Sequence, residues 1–130
     1  MRRAACTCGQ LSASCPDKPE SVSLCHCTAC QRRTGSTYGI AAFFARGDVA
    51  ISGTSRVFVR PSDSGYRVKF YFCPECGSTV FWELERKPDV LAIAVGAFAD
   101  PDFPAPAKAV YPAQRHRWLP ELLNPDQDGA

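Results

Sequence analysis

Long apolar runs are missing from this 130-residue sequence, and none approaches the roughly 20 residues a helix needs to span a bilayer. The basic start Met1-Arg2-Arg3 leads into no apolar stretch, because Cys6 and Cys8 arrive first, so no secretory signal is expected. No internal repeat and no low-complexity segment is present. Pro101, Pro104, Pro106, Pro112 and Pro120 exclude long helices from the C-terminal third. A strong excess of one charge is also lacking, with a formal balance of +2. Hydrophobic residues make up 45% and charged residues 22%, an ordinary composition for a globular domain. These features predict one domain over residues 1–130, with a core of about 4–120, a frayed polar tail from Asn124 to Ala130, and a cytoplasmic location.

Cysteine, by contrast, is abundant. Eight are present, and seven fall in close CxC or CxxC spacings: Cys6, Cys8, Cys25, Cys27, Cys30, Cys73 and Cys76. Four disulfides would suit a secreted domain, but a reducing cytosol keeps thiols free, and close spacings suit a metal better than bridges between distant strands. Zinc ligands are thiolates. Seven thiolates add −7 and two Zn²⁺ ions add +4, which takes the formal +2 to −1. The loaded chain thus has no electrostatic case for binding nucleic acid.

Most of the chain reads as short strands. Over residues 66–72, Tyr66, Val68, Phe70 and Phe72 share one face, and Arg67 and Lys69 the other. Residues 78–84 form a second strand with Val80, Trp82 and Leu84 on one side. Residues 90–98 read as a buried strand, and 38–45, 49–52 and 56–60 as further ones. Only Thr28 to Thr34 suggests a helical turn, ended by Gly35.

Cys73-Pro74-Glu75-Cys76-Gly77 lies between two strands, so it reads as a metal knuckle at a hairpin turn; a redox CxxC would open a helix. Two thiolates do not complete a structural site. Cys6-Thr7-Cys8-Gly9 can supply the other two, since i and i+2 of an extended segment point the same way. Closing a loop of about 65 residues costs several kcal/mol, within the roughly 10–16 kcal/mol that structural zinc contributes. Cys25-His26-Cys27-Thr28-Ala29-Cys30 offers three thiolates from one segment. Three protein ligands leave a fourth position open, the mark of a catalytic or ligand-binding zinc. The alternative is a second structural site completed from elsewhere, by His116 or Cys15. His26 points away from its neighbours on an extended segment, which suits packing or an outer hydrogen bond better than ligation. Cys15 reads as a small buried hydrophobe.

In this order the three groups, CxCG, CHCxxC and CxxCG, resemble the glutathione-dependent formaldehyde-activating enzyme family, the domain family of centromere protein V. Thr34-Gly35-Ser36, the stretch Gly96-Ala97-Phe98-Ala99-Asp100-Pro101 and Trp118 add to the resemblance, which covers about residues 4–120. It implies an all-β fold of small coiled antiparallel sheets organised around zinc knuckles. It implies two Zn²⁺ per chain, a structural ion on Cys6, Cys8, Cys73 and Cys76 and a second on Cys25, Cys27 and Cys30; with its open position, the second site is expected to bind more weakly and to be partly occupied. The implied reaction adds a small aldehyde such as formaldehyde to the thiol of glutathione, and in reverse is a carbon–sulfur lyase. Arg32, Arg33, Arg67 and Lys69 are candidates to receive the thiol's carboxylates, with solvated surface charge the alternative for each. Many members carry a basic residue after the third cysteine of the triplet, where this chain has Gln31. His116 is a candidate proton shuttle or a packed surface histidine.

Three readings follow: a zinc enzyme of thiol–aldehyde adducts, a non-catalytic zinc module binding a small thiol or a protein, and a nucleic-acid-binding ribbon. The last lacks a basic, aromatic-rich strip. The number of protein ligands at the triplet separates the first two. Self-association is not legible.

Overall fold

The computed structural model describes residues 1–62 and 64–120. The expected frayed tail, 124–130, lies outside the described residues. In chain order the elements are β1 (Arg2–Ala5), β2 (Ser12–Cys15), β3 (Ser21–Cys25), α1 (Thr28–Thr34), β4 (Gly39–Ala45), β5 (Ala50–Ser52), β6 (Arg56–Pro61), β7 (Arg67–Phe72), β8 (Thr79–Leu84), β9 (Lys87–Ala94) and β10 (Lys108–Val110). Short 3₁₀ turns occupy Arg46–Asp48, Val95–Phe98 and Pro112–Gln114. The fold is all-β, as expected. Gly35, at φ 67°, ends α1 and donates its N–H to the Gln31 carbonyl.

The strands form two sheets. A three-stranded sheet runs β1-β2-β5, and a seven-stranded sheet runs β10-β3-β4-β9-β8-β7-β6. Every pairing is antiparallel except β10 with β3. A hairpin forces antiparallel pairing, but β10 returns from β9 through the 3₁₀ turn and a proline-rich crossing. It therefore enters from the same end as β3.

The main core lies between the sheets, where Leu11, just before β2, and Ala13 of the smaller sheet join Val22, Phe44, Phe81 and Ile93 of the larger. The other face of the seven-stranded sheet carries a second cluster of Ala41, Val68, Phe70, Trp82 and Ala92. A bulge sorts β8 between them. Tyr71 pairs with Phe81 but Phe72 pairs with Thr79, so Val80 is the extra residue and packs in the main core. Trp82 and Leu84 belong to the second cluster, so Val80 does not share their face as the alternation predicts. The strand expected over 90–98 stops at Ala94, where the chain coils through Gly96 and delivers Phe98 onto Phe44 and Phe103.

Candidate metal centres and the cleft beside them

The first centre joins two tight turns. After β1 the chain folds back, with the Cys6 N–H on the Leu11 carbonyl at 2.9 Å and the Gly9 N–H on the Cys6 carbonyl at 3.0 Å. Between β7 and β8 the CxxC knuckle closes with Gly77 N–H on the Cys73 carbonyl at 2.8 Å. The Sγ atoms of Cys6, Cys8, Cys73 and Cys76 all lie within 4.8 Å of one another. Cys6–Cys8 and Cys8–Cys73 Sγ separations are 3.6 and 3.7 Å. Tetrahedral thiolates about 2.3 Å from a zinc ion stand about 3.8 Å apart, whereas a disulfide needs about 2.05 Å. All eight cysteines are free thiols. The sulfurs also meet donors suited to thiolates: Leu11 N–H to Cys6 Sγ at 3.3 Å, Glu75 N–H to Cys73 Sγ at 3.4 Å, and Gln10 Nε2 to Cys73 Sγ at 3.0 Å. Ser78, with its hydroxyl 3.5 Å from Cys76 Sγ, draws that thiol down to about 5. The donor set fits a closed four-thiolate zinc site.

Gln10 and Ser78 carry no motif, and sequence reasoning missed both. Ser78 receives the Thr7 N–H at 3.2 Å and so stitches the N-terminal turn to the knuckle. Gln10 is fixed by Thr54, whose carbonyl accepts from Nε2 at 2.7 Å and whose N–H donates to Oε1 at 3.0 Å.

The second centre forms where β3 turns into α1. Cys25 ends β3, Cys27 caps α1 by accepting the Cys30 N–H at 3.3 Å, and Cys30 sits in the first turn. Their sulfurs lie within 4.8 Å of one another, and among the described residues no further His, Cys, Asp or Glu joins them. His26 is fully buried on the opposite side, edge-on to Tyr38. One backbone and two side-chain contacts brace the segment: His26 N–H donates to Val110 O at 3.1 Å, Thr28 N–H to Gln114 Oε1 at 2.8 Å, and Gln31 Nε2 to His26 O at 2.9 Å. Gln31 thus anchors the loop. Cys30 is drawn down to about 6, first by its hydrogen bond with Cys25, and the same contact pushes Cys25 up.

Cys25 and Cys30 open onto a cleft of about 280 Å³ on the face of the seven-stranded sheet. Small residues, Ser23, Gly39 and Ala41, make its floor, and Phe43 and Trp82 rise beside them. Arg33 of α1 forms one wall, its Cζ 4.3 Å above the Trp82 ring and 5.7 Å from Phe70. Burial pulls its basicity down, and the charge of Cys30 opposes that. A wider hollow of about 900 Å³ lies on the other side of Arg33, towards Cys6 and Cys76.

The remaining candidates are scattered. Arg32 is exposed and lines a separate cavity with Phe58 and Arg60. Arg67 pairs with Glu85 at 3.0 Å, and Lys69 alternates with Val68 and Phe70 to the opposite face of β7, so neither enters the cleft. His116 packs edge-on against Trp118. Cys15 is fully buried, and desolvation pushes its thiol up to about 11. Neither residue joins the triplet.

Together these observations define an all-β protein with two cysteine clusters able to hold metal ions. Residues 1–114 match the glutathione-dependent formaldehyde-activating enzyme family, and the chain belongs to it. A crystal structure of a Rhodobacter sphaeroides protein shares the fold, at 20% identity and a TM-score of 0.55, covering 73% of this chain and 85% of that one. No curated protein matches the chain. Among the described residues, no helix is long and apolar enough to cross a membrane.

Proposed function

We propose that the chain holds two Zn²⁺ ions, a structural one on Cys6, Cys8, Cys73 and Cys76 and a functional one on Cys25, Cys27 and Cys30, and that it joins a small aldehyde such as formaldehyde to the thiol of glutathione or a related thiol. The observation that carries this reading is the triplet itself: three converging sulfurs, no fourth protein ligand among the described residues, and an adjoining cleft. All-thiolate donor sets suit zinc. Bound there, the ion would hold an incoming thiol as its thiolate near neutral pH.

The chain's own residues supply the rest. Three thiolates around one Zn²⁺ sum to −1, which the Arg33 guanidinium beside Cys30 offsets. Trp82 and Phe43 keep the cleft wall apolar and limit water. In the forward direction the thiol loses its proton, the C–S bond forms as the carbonyl π pair moves to oxygen, and that oxygen takes up a proton. No oxidant or reductant is consumed, and the reverse step cleaves the C–S bond. We assign the carboxylate-facing role of the α1 arginines to Arg33, because Arg33 lines the cleft at Cys25 and Cys30 and Arg32 does not.

Exchange NMR on an equilibrium mixture of glutathione and formaldehyde tests this. Zinc-loaded protein accelerates interconversion with the S-hydroxymethyl adduct, and Cys27→Ser abolishes the acceleration. Interconversion at the uncatalysed rate with both zinc sites filled refutes the enzymatic reading.

A further inference from the structure

The cavity that Arg32 lines measures about 560 Å³ and is built, Arg33 apart, from residues the proposed reaction does not use. The last turn of α1 supplies Arg32 and Arg33, and β6, the edge strand of the larger sheet, supplies Arg60. Three phenylalanines stand with them: Phe58 of β6, Phe70, its partner across the strands, and Phe72. Arg33 and Arg60 both lie over the Phe70 ring, their Cζ atoms 5.7 and 5.3 Å from its centroid. No aspartate or glutamate lines this cavity. Arg32 and Arg60 take no part in the ion pairs found among the described residues, which join Met1 to Asp17, Arg2 to Asp100, Arg46 to Glu83 and Arg67 to Glu85. We propose that this cavity is a second ligand site, separate from the thiolate triplet, and that it takes a small aromatic anion, a flat ring bearing a carboxylate or a phosphate.

Both halves of that ligand follow from the lining. Cations gathered without a carboxylate raise the local potential and draw an anion. Arginine sharpens the choice, because its planar fork matches a carboxylate or a phosphate through two parallel hydrogen bonds. A guanidinium held against a ring face still presents its N–H edge to such a group. The ring follows from the phenylalanines. Phe70 is buried, but Phe58 is 60% exposed, between Val57 and Val59 that are exposed as well. Apolar surface left open beside a cavity marks a place where a ligand buries it. Aromatic pairs gain from offset or edge-on contact beyond the area they cover, so a flat ring is favoured over an aliphatic body of equal size. The volume lies within the roughly 300–1,000 Å³ of small-molecule sites. No cysteine lines the cavity, so a metal-bound sulfur has no place there. Arg33 lines both this cavity and the cleft at Cys25 and Cys30, and so forms their common wall.

The test is calorimetric titration of zinc-loaded protein with 2-naphthoate and 2-naphthyl phosphate, beside 2-naphthamide, which keeps the rings without the charge, and cyclohexanecarboxylate, which keeps the charge without the rings. One or both naphthyl anions bind, and the tighter identifies the acid group. The amide binds at least about tenfold more weakly, the loss of a charge-assisted contact, and cyclohexanecarboxylate at least about threefold more weakly, the loss of ring contacts. Arg60→Gln lowers affinity for the naphthyl anion at least about tenfold. Arg32→Gln and Phe58→Ser each lower it at least about threefold, and both replace exposed side chains, so zinc content and far-ultraviolet circular dichroism stay those of the parent protein. Saturating glutathione leaves the naphthyl anion bound. Equal affinity for naphthoate and naphthamide, indifference to both Arg60→Gln and Phe58→Ser, or displacement by glutathione overturns the inference. Binding of an oligo(dT) strand by protein that ignores both naphthyl anions overturns it as well, in favour of an extended nucleic-acid surface.

Discussion

A methyl group at Gly39 would lie 2.7 Å from Nη2 of Arg33, inside van der Waals contact, so the missing side chain of one residue makes the seat of the other. Gly39 pairs across the sheet with Cys25, which places that seat at the thiolate triplet. Gly39→Ala is therefore expected to displace the guanidinium while leaving the fold intact, since the clashing atom ends a flexible side chain and the next contact, Thr34 Cγ2, stands at 3.4 Å. Stability falls by about 1 kcal/mol or less. Zinc retention at the triplet weakens as it does in Arg33→Met, and Arg33→Lys does not restore it, because an ammonium cannot stack flat on Trp82. Chelator titration followed by elemental analysis reads the outcome, with the four-cysteine site as internal reference.

The two centres are expected to differ in what they support. Cys6→Ser or Cys73→Ser removes a buried ligand from the site that ties the N-terminal turn to the β7–β8 knuckle, and the protein becomes unfolded or insoluble. Cys27→Ser loses one zinc and keeps its far-ultraviolet circular dichroism, since the triplet lies within a single segment. Equal loss of structure in both variants contradicts the division of roles.

Gly53 is expected to be as sensitive as a ligand. Its φ is +97°, and a Cβ there would stand 1.8 Å from the Gln10 backbone oxygen, which cannot move without dragging the Gln10 side chain from Cys73. Gly53→Ala should cost at least about 2 kcal/mol in urea unfolding, and Gln10→Ala should cost less while loosening the same zinc.

Acid stability carries a further signature. Glu83 is held below its ordinary range: partial burial opposes ionisation, but the Tyr71 hydroxyl and Arg46 outweigh it. A carboxyl depressed in the folded state contributes stability above its unfolded pKa of 4.5 and loses it as pH falls through the lower folded value. Glu83→Gln should therefore lower stability near neutrality and flatten its decline below about pH 5 in denaturant titrations, so that variant and parent converge in acid.

The sequence makes legible those elements whose chemistry is local. The knuckle, α1 with its Gly35 stop, and strands rich in aromatic and β-branched residues such as β7 announce themselves. Strands β1, β2, β3 and β10 do not, because Arg-Arg-Ala-Ala or Ser-Ala-Ser-Cys has no intrinsic preference for extended backbone and is held by pairing alone. The metal ligands are readable because convergence follows from spacing. The cleft is not, because it depends on register: Gly39 opposite Cys25, Arg33 over Trp82, and Lys108 beside Ser23 arise from a seven-stranded order that joins residues remote in sequence. For the same reason Arg32, Arg67 and Lys69 looked equivalent to Arg33 until the strands assigned their faces.

The central claim is that a thiol completes the coordination of a zinc ion held by Cys25, Cys27 and Cys30. Calorimetric titration of zinc-loaded protein with glutathione and with S-methylglutathione tests it most directly, since the methyl group removes the ionisable thiol and leaves every other contact. The account predicts binding of glutathione that strengthens as pH rises towards the thiol pKa, at least about tenfold weaker binding of the S-methyl form, and loss of the difference in Cys27→Ser. Equal affinity for the two ligands would contradict it.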